Sequence, residues 1–120
     1  MSSERRRAPR VTERVALAIT EAGVSLQTET KNLSTSGAYC TLDRFLPPMT
    51  KLQLVLELPN PSGPVHVRCT GIVVRVEPVV AHADRTRYHV AVFFTDLAQR
   101  DREAIAAFVR QRLSASSSAR

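Results

Sequence analysis

The sequence has no tryptophan, and aromatic residues make up only 5% of its 120 positions. A barrel that holds single-stranded nucleic acid by stacking needs aromatic platforms beside a basic groove. Phe93, Phe94 and Phe108 fit core positions better, which leaves Tyr39 and Tyr88 as the credible platforms. Cysteine is as sparse: Cys40 and Cys69 lie in apolar stretches, lack CxxC spacing, and have only His66, His82 and His89 to join them. Two buried, reduced thiols are expected rather than a zinc site or a disulfide. No apolar run approaches the roughly 18 residues of a membrane span. The first residues are charged where a signal peptide would turn apolar, so a cytoplasmic chain without membrane insertion is expected.

Enzyme signatures are missing as well. There is no Gly-rich phosphate loop, HExxH, GxSxG or acidic cluster suited to magnesium. The serines of "NLSTSG" have no histidine near them in sequence, so a Ser-His pair would have to be assembled through space, for example Ser34 with His89. The expectation is a non-enzyme with no cofactor. Acidic residues number 11 against 17 lysines and arginines, a net charge of +6. That balance favours an anionic partner without saying which kind.

What the chain does have is alternation. Between Val11 and Thr95 the dominant hydrophobic period is two, the pattern of half-buried strands. Val11, Val15, Leu17 and Ile19 share a face, then Val24 and Leu26 after the turn candidate "EAG", then Ala38, Cys40 and Leu42. "KLQLVLELP" puts Leu52, Leu54, Leu56 and Leu58 on one side and ends at Pro59, and "PNPSGP" is a turn cluster. In "VHVRCTGIVVRVEP" the apolar face changes near Gly71, which predicts a bulge or bend there. Alternation resumes at Tyr88, Val90, Val92 and Phe94 after the polar loop "AHADR". From Asp96 the period becomes helical: Ile105, Phe108, Val109 and Leu113 form one stripe. Asp96 with Gln99 suits a capping turn, Arg110 and Arg112 suit the far end of the helix dipole, and "SASSSAR" predicts a frayed tail. The predicted fold is mainly β, a six-stranded antiparallel barrel with one C-terminal helix that plugs or flanks an otherwise incomplete barrel.

Two segments remain. "RRRAPR" spends four arginines on six residues at the N-terminus, and a like-charge block is by default solvated. "NLSTSG", Asn32 to Gly37, reads by itself as a turn in which Asn and Ser bond nearby backbone and Gly37 takes a positive φ. Taken together and in this order, Arg6-Arg7-Ala8-Pro9-Arg10 and Asn32-Leu33-Ser34-Thr35-Ser36-Gly37 resemble the RxxxR and [D/N]xSxxG motifs of the PilZ domain, the bacterial module that binds cyclic di-GMP. "CTGIVVRVEP" resembles the strand of that family that carries a G-x-V-x-R pattern. "YHVAVFFTDLAQRDREAIAAFV" resembles its last strand and C-terminal helix.

The resemblance implies a stand-alone PilZ domain over residues 1–113: a flexible arm at 1–10, a split barrel at 11–95, and a turn with helix at 96–113, before a disordered tail at 114–120. It implies a cyclic di-GMP site made by Arg6 and Arg10 of the arm with Asn32, Ser34 and Gly37 of the barrel. A basic Arg5 just before RxxxR implies two stacked ligand molecules, and Arg7 and Ser36 are accessory positions. The ligand's chemistry agrees with these residue types, because a guanidinium fork pairs with phosphate oxygens or with guanine O6 and N7, and its plane stacks on a base. Asn32 offers an amide carbonyl to base N–H groups, more weakly than the Asp of other members. Ser34 bonds the ligand or fixes the loop, and Gly37 permits the turn and a close approach. The implied function is to bind the messenger, order the arm, and signal to a downstream protein partner. A PilZ-like adaptor that binds no nucleotide is the first alternative, and a basic OB-like nucleic-acid-binding barrel the second.

Overall fold

The computed structural model describes residues 9–82 and 85–118. Six strands, β1 (Ala16–Glu21), β2 (Val24–Leu33), β3 (Gly37–Leu42), β4 (Lys51–Leu58), β5 (Val65–His82) and β6 (Arg85–Asp96), precede one helix, α1 (Gln99–Ser118). All pairings are antiparallel, and the order β1-β2-β3-β6-β5-β4 closes on itself through β1 and β4. The barrel is therefore complete without the helix, contrary to the incomplete barrel expected.

Alternation builds the interior. Leu52, Leu54, Leu56 and Leu58 all point inward from β4, facing Leu17 and Ile19 of β1 and Val67 of β5 in one buried cluster. Each such side chain contributes about 1.5–3 kcal/mol by leaving water. The β1–β2 hairpin turns on Ala22 and Gly23 with φ of 52° and 82°, the two positive values of a type I′ turn that suits strand twist. Val24, just beyond that turn, lies off the core and is exposed, unlike the inward face expected for it.

The stretch before β1 is held by side chains. Val11 forms an isolated bridge with Leu33, N–H to O both ways at 2.9 and 2.8 Å. Buried Thr30 then completes the connection: its Oγ1 accepts from the Val15 N–H and donates to the Glu13 carbonyl, both at 3.0 Å. Val11 and Val15 are buried as expected, but regular pairing starts only at Ala16.

Several expectations in the C-terminal part of the chain change. The polar loop expected at "AHADR" is narrower, because β5 runs to His82 and β6 begins at Arg85. Asp96 is the last residue of β6, paired with Thr70, so it does not cap the helix. The helix starts at Gln99 and continues through Ser118, past the boundary expected at 113. Alanine and serine are tolerated in a helix, and no glycine or proline stops it. Arg110 and Arg112 consequently lie inside the helix and not in its last turn. Ile105, Phe108 and Val109 are buried as the stripe predicts, but Leu113 is exposed. Arg112 instead covers the Phe108 ring at 4.5 Å and reaches Glu13 at 3.3 Å.

Burial pushes the Cys40 thiol up to about 12. Burial, then the charges of Asp101 and Asp96, push Cys69 up to about 11. Both cysteines are free and buried.

Candidate functional site

A strand that alternated without interruption would send Asn32 inward after Thr30, and Arg75 inward after Val73. Neither happens, because each strand carries one extra residue just before the polar one. Thr30 pairs with Cys40 and Asn32 with Tyr39, so Lys31 is a bulge. Val73 pairs with Val92 and Arg75 with Ala91, so Val74 is another. A bulge shifts the phase of a strand by one residue. Leu33 therefore enters the core while Asn32 faces outward, and Arg75 faces outward while Val76 packs against the core. The predicted change of face in β5 thus occurs at Val74. Near Gly71 the extra residue is Thr95 on β6, and a side chain at Gly71 would come within 2.8 Å of the Phe93 carbonyl oxygen.

The outcome is a row across four strands: Asn32 beside Tyr39, Tyr39 beside Ala91, Ala91 beside Arg75. Because Ala91 is small, the Arg75 guanidinium reaches the Tyr39 ring, 5.5 Å from its centroid, while its Nε lies 3.8 Å from Glu77 Oε2. A cleft of about 340 Å³ opens over the Tyr39, Ala91 and Arg75 part of this row, lined by Arg10, Ser36, Gly37, Tyr39, Arg75 and Phe93 among others.

Arg10 Nη1 donates to Asn32 Oδ1 at 3.4 Å, joining two residues 22 positions apart. The Val11–Leu33 bridge explains the meeting, because it fixes the chain one residue after Arg10 and one after Asn32. Ser34 is 1% exposed. Its Oγ accepts from the Ser36 N–H at 3.1 Å and pairs with Ser36 Oγ at 3.0 Å, while its N–H donates to the Gly37 carbonyl at 2.9 Å. Of the two roles expected for Ser34, the one visible here is to fix the loop. Gly37 does not have the expected positive φ. It opens β3, where a Cβ would collide with the carbonyl oxygen of Val92, so glycine is needed for β3 to approach β6. Arg5, Arg6 and Arg7 lie outside the described residues.

Sequence reasoning assigned no role to Arg75, although it is the arginine of the quoted G-x-V-x-R stretch. It also put Phe93 in the core, whereas Phe93 is 48% exposed at the rim of the cleft. The signal was available, since Phe93 has the parity opposite to Val92 and Phe94. Of the two tyrosines, Tyr39 floors the cleft, while Tyr88 packs edge-on against Phe45 with ring centroids 5.6 Å apart. Among the described residues no group of three His, Cys, Asp or Glu side chains could hold a metal ion. No helix among them is long and apolar enough to cross a membrane.

A closed six-stranded barrel with a cleft on its outer face and a C-terminal helix defines a small β-barrel domain. The PilZ domain family model matches residues 4–111, and the chain belongs to that family. Among solved structures, apo MrkH of K. pneumonia aligns with a TM-score of 0.78 and 16% identity over 96% of this chain and 53% of that one. Bacillus subtilis MotI, an inhibitor of motility, gives 0.75 and 16% over 90% and 51%. The PilZ domain of Escherichia coli YcgR, solved with c-di-GMP, gives 0.69 and 15% over 96% and 97%. The chain spans about half the length of MotI and MrkH. At these identities the likeness is one of fold. A comparison with curated protein sequences gives no match.

Proposed function

We propose that this chain is a receptor for cyclic di-GMP and passes its occupancy to a partner protein, without catalysing a reaction. The observation that carries the reading is the meeting of Arg10 with Asn32 at the edge of the cleft, 22 residues apart in sequence. Arg10 also lines the cleft together with Ser36 and Gly37, an arrangement that suits a ligand with both phosphates and bases.

Arg10 and, by its place in RxxxR, Arg6 neutralise phosphate or fork onto a guanine edge. Asn32 exchanges its bond from Arg10 for bonds from base N–H groups. Arg75 leaves Glu77, an exposed partner worth little, for the ligand. Ser34 and Gly37 hold the loop and the strand that present Asn32, and Ser36 and Arg7 are accessory. Arg5, basic and just before RxxxR, extends the reading to two stacked ligand molecules. The YcgR domain solved with c-di-GMP and a MrkH complex with c-di-GMP, 18% identical over 95% of this chain, support the ligand class.

Helix α1 supports the relay. Arg102 Nη1 donates to the Thr35 carbonyl of the motif loop at 3.2 Å, and Arg112 pairs with Glu13 at 3.3 Å near the root of the arm. A ligand that moves the loop or the arm therefore alters what holds α1.

Isothermal titration with cyclic di-GMP tests the reading. Saturable binding near two ligands per chain, at least tenfold weaker in Arg10→Ala and Asn32→Ala, is expected. A ratio near one discards the stacked pair and keeps the receptor. No binding sinks the receptor and leaves the nucleotide-free adaptor.

A further inference from the structure

Phe93 is a half-exposed ring that the core does not explain. Its neighbours Val92 and Phe94 are buried in the barrel, while Phe93 stands 48% exposed on the outer face. The residue paired with it on β3 is Gly37, which puts no side chain across the ring. Val74, the bulge residue and 50% exposed, lines the same cleft. The cleft therefore has two unlike sides. One carries Tyr39 and Arg75, with Arg10 and Ser36; the other is an apolar rim of Phe93 and Val74.

The spacing of the two sides is that of a strand. Phe93 is two residues beyond Ala91, the position over which Arg75 reaches Tyr39. Outward side chains two residues apart on a strand stand roughly 7 Å apart. That is about twice the 3.4 Å rise between stacked bases, so one flat ring fits between them.

We propose that Phe93 is a stacking platform for a guanine base of the bound nucleotide, with Arg75 and Tyr39 on the opposite face of that base. The proposal rests on the nucleotide reading above and adds a specificity-determining residue that neither motif contains. Stacking supplies affinity for the base plane, which phosphate contacts alone cannot. It also accounts for an exposed apolar ring in a cleft that Arg10, Ser36, Tyr39 and Arg75 line as well.

Because the chain has no tryptophan, Phe93→Trp gives a single indole reporter at the site. Titrated with cyclic di-GMP, its emission is expected to change saturably, with the midpoint found by calorimetry. Val24→Trp, at the hairpin at the other end of β2 and exposed, is expected to stay constant. Phe93→Ala is expected to bind about ten- to a hundredfold more weakly, with Phe93→Tyr restoring affinity to within about threefold. Unchanged melting temperatures would show that these surface variants keep the fold. Equal affinity in Phe93→Ala, or a silent indole in Phe93→Trp while calorimetry shows binding, overturns the platform and leaves the receptor intact. Absence of binding to the unaltered protein overturns the receptor reading and the platform with it.

Discussion

The β1–β4 side of the barrel and the β2–β3–β6–β5 side are made of the same alternating strands, but they differ in register. β1 pairs with β2 and β4, and β4 with β5, without a single slip. The β3–β6 pair is regular too, yet both of its borders are bulged, at Lys31 on one side and at Thr95, Val74 and Ala81 on the other. The regular side puts leucines into the core and hydrophilic residues into water. The bulged side does the same and, in addition, collects Asn32, Tyr39 and Arg75 in one outward row. A phase slip is thus how a strand contributes to both a core and an outward polar row without giving up either.

Removing core from the regular side should have the largest effect. Leu56→Ala is expected to lower stability by about 2–5 kcal/mol, read by urea denaturation, while affinity for cyclic di-GMP stays unchanged as long as the protein is folded. A parallel loss of affinity would show that the two sides are not separable.

Alkaline pH tests how well the bulged side is sealed. Cys40 holds its proton to about 12 in the folded chain, against an ordinary value of 9.0. A raised thiol pKa means that ionisation favours unfolding. The contribution is whole below pH 9 and is lost as pH rises toward 12, by up to roughly 1.4 kcal/mol per unit. Thermal melts should therefore fall more steeply with pH in the unaltered protein than in Cys40→Ala. Equal slopes would mean that water already reaches the core under the site.

Gly37→Ala joins the two properties that Leu56→Ala separates. Its methyl group would be driven into the Val92 carbonyl, at a cost of roughly 1–3 kcal/mol. Affinity should fall with stability, because β3 carries Tyr39; calorimetry beside urea melts reads both. On the regular side, Ala22→Asn should gain about 1 kcal/mol, since alanine pays for its φ of 52° and asparagine tolerates that region. Binding should not change. Smallest in stability is Arg10→Ala, within about 0.5 kcal/mol, although it should weaken ligand binding at least tenfold by titration.

Much of this arrangement is legible along the chain. The leucines of "KLQLVLELP", the turn at "EAG" and the Ile105–Phe108–Val109 stripe are patterns of nearest and near neighbours, and local patterns survive folding. The arginine arm and "NLSTSG" were singled out by resemblance to a family pattern, and Arg10 of the one meets Asn32 of the other. Arg75 was visible in the sequence but had no stated role, because nothing local says that Ala91 would be the small residue beneath it. Phe93 was misplaced for a related reason: an aromatic residue between Val92 and Phe94 looks like core until the strand's outward face is known.

The sequence by itself determined the class of fold and most of the inward faces, because hydrophobic burial acts on each strand's own alternation; the two segments whose Arg10 and Asn32 meet were named by resemblance to a family. Only the tertiary structure decided where the phase slips, which residues share a row across strands, and that the barrel closes without its helix. Those features depend on register between strands far apart in the chain, and register is a property of pairs.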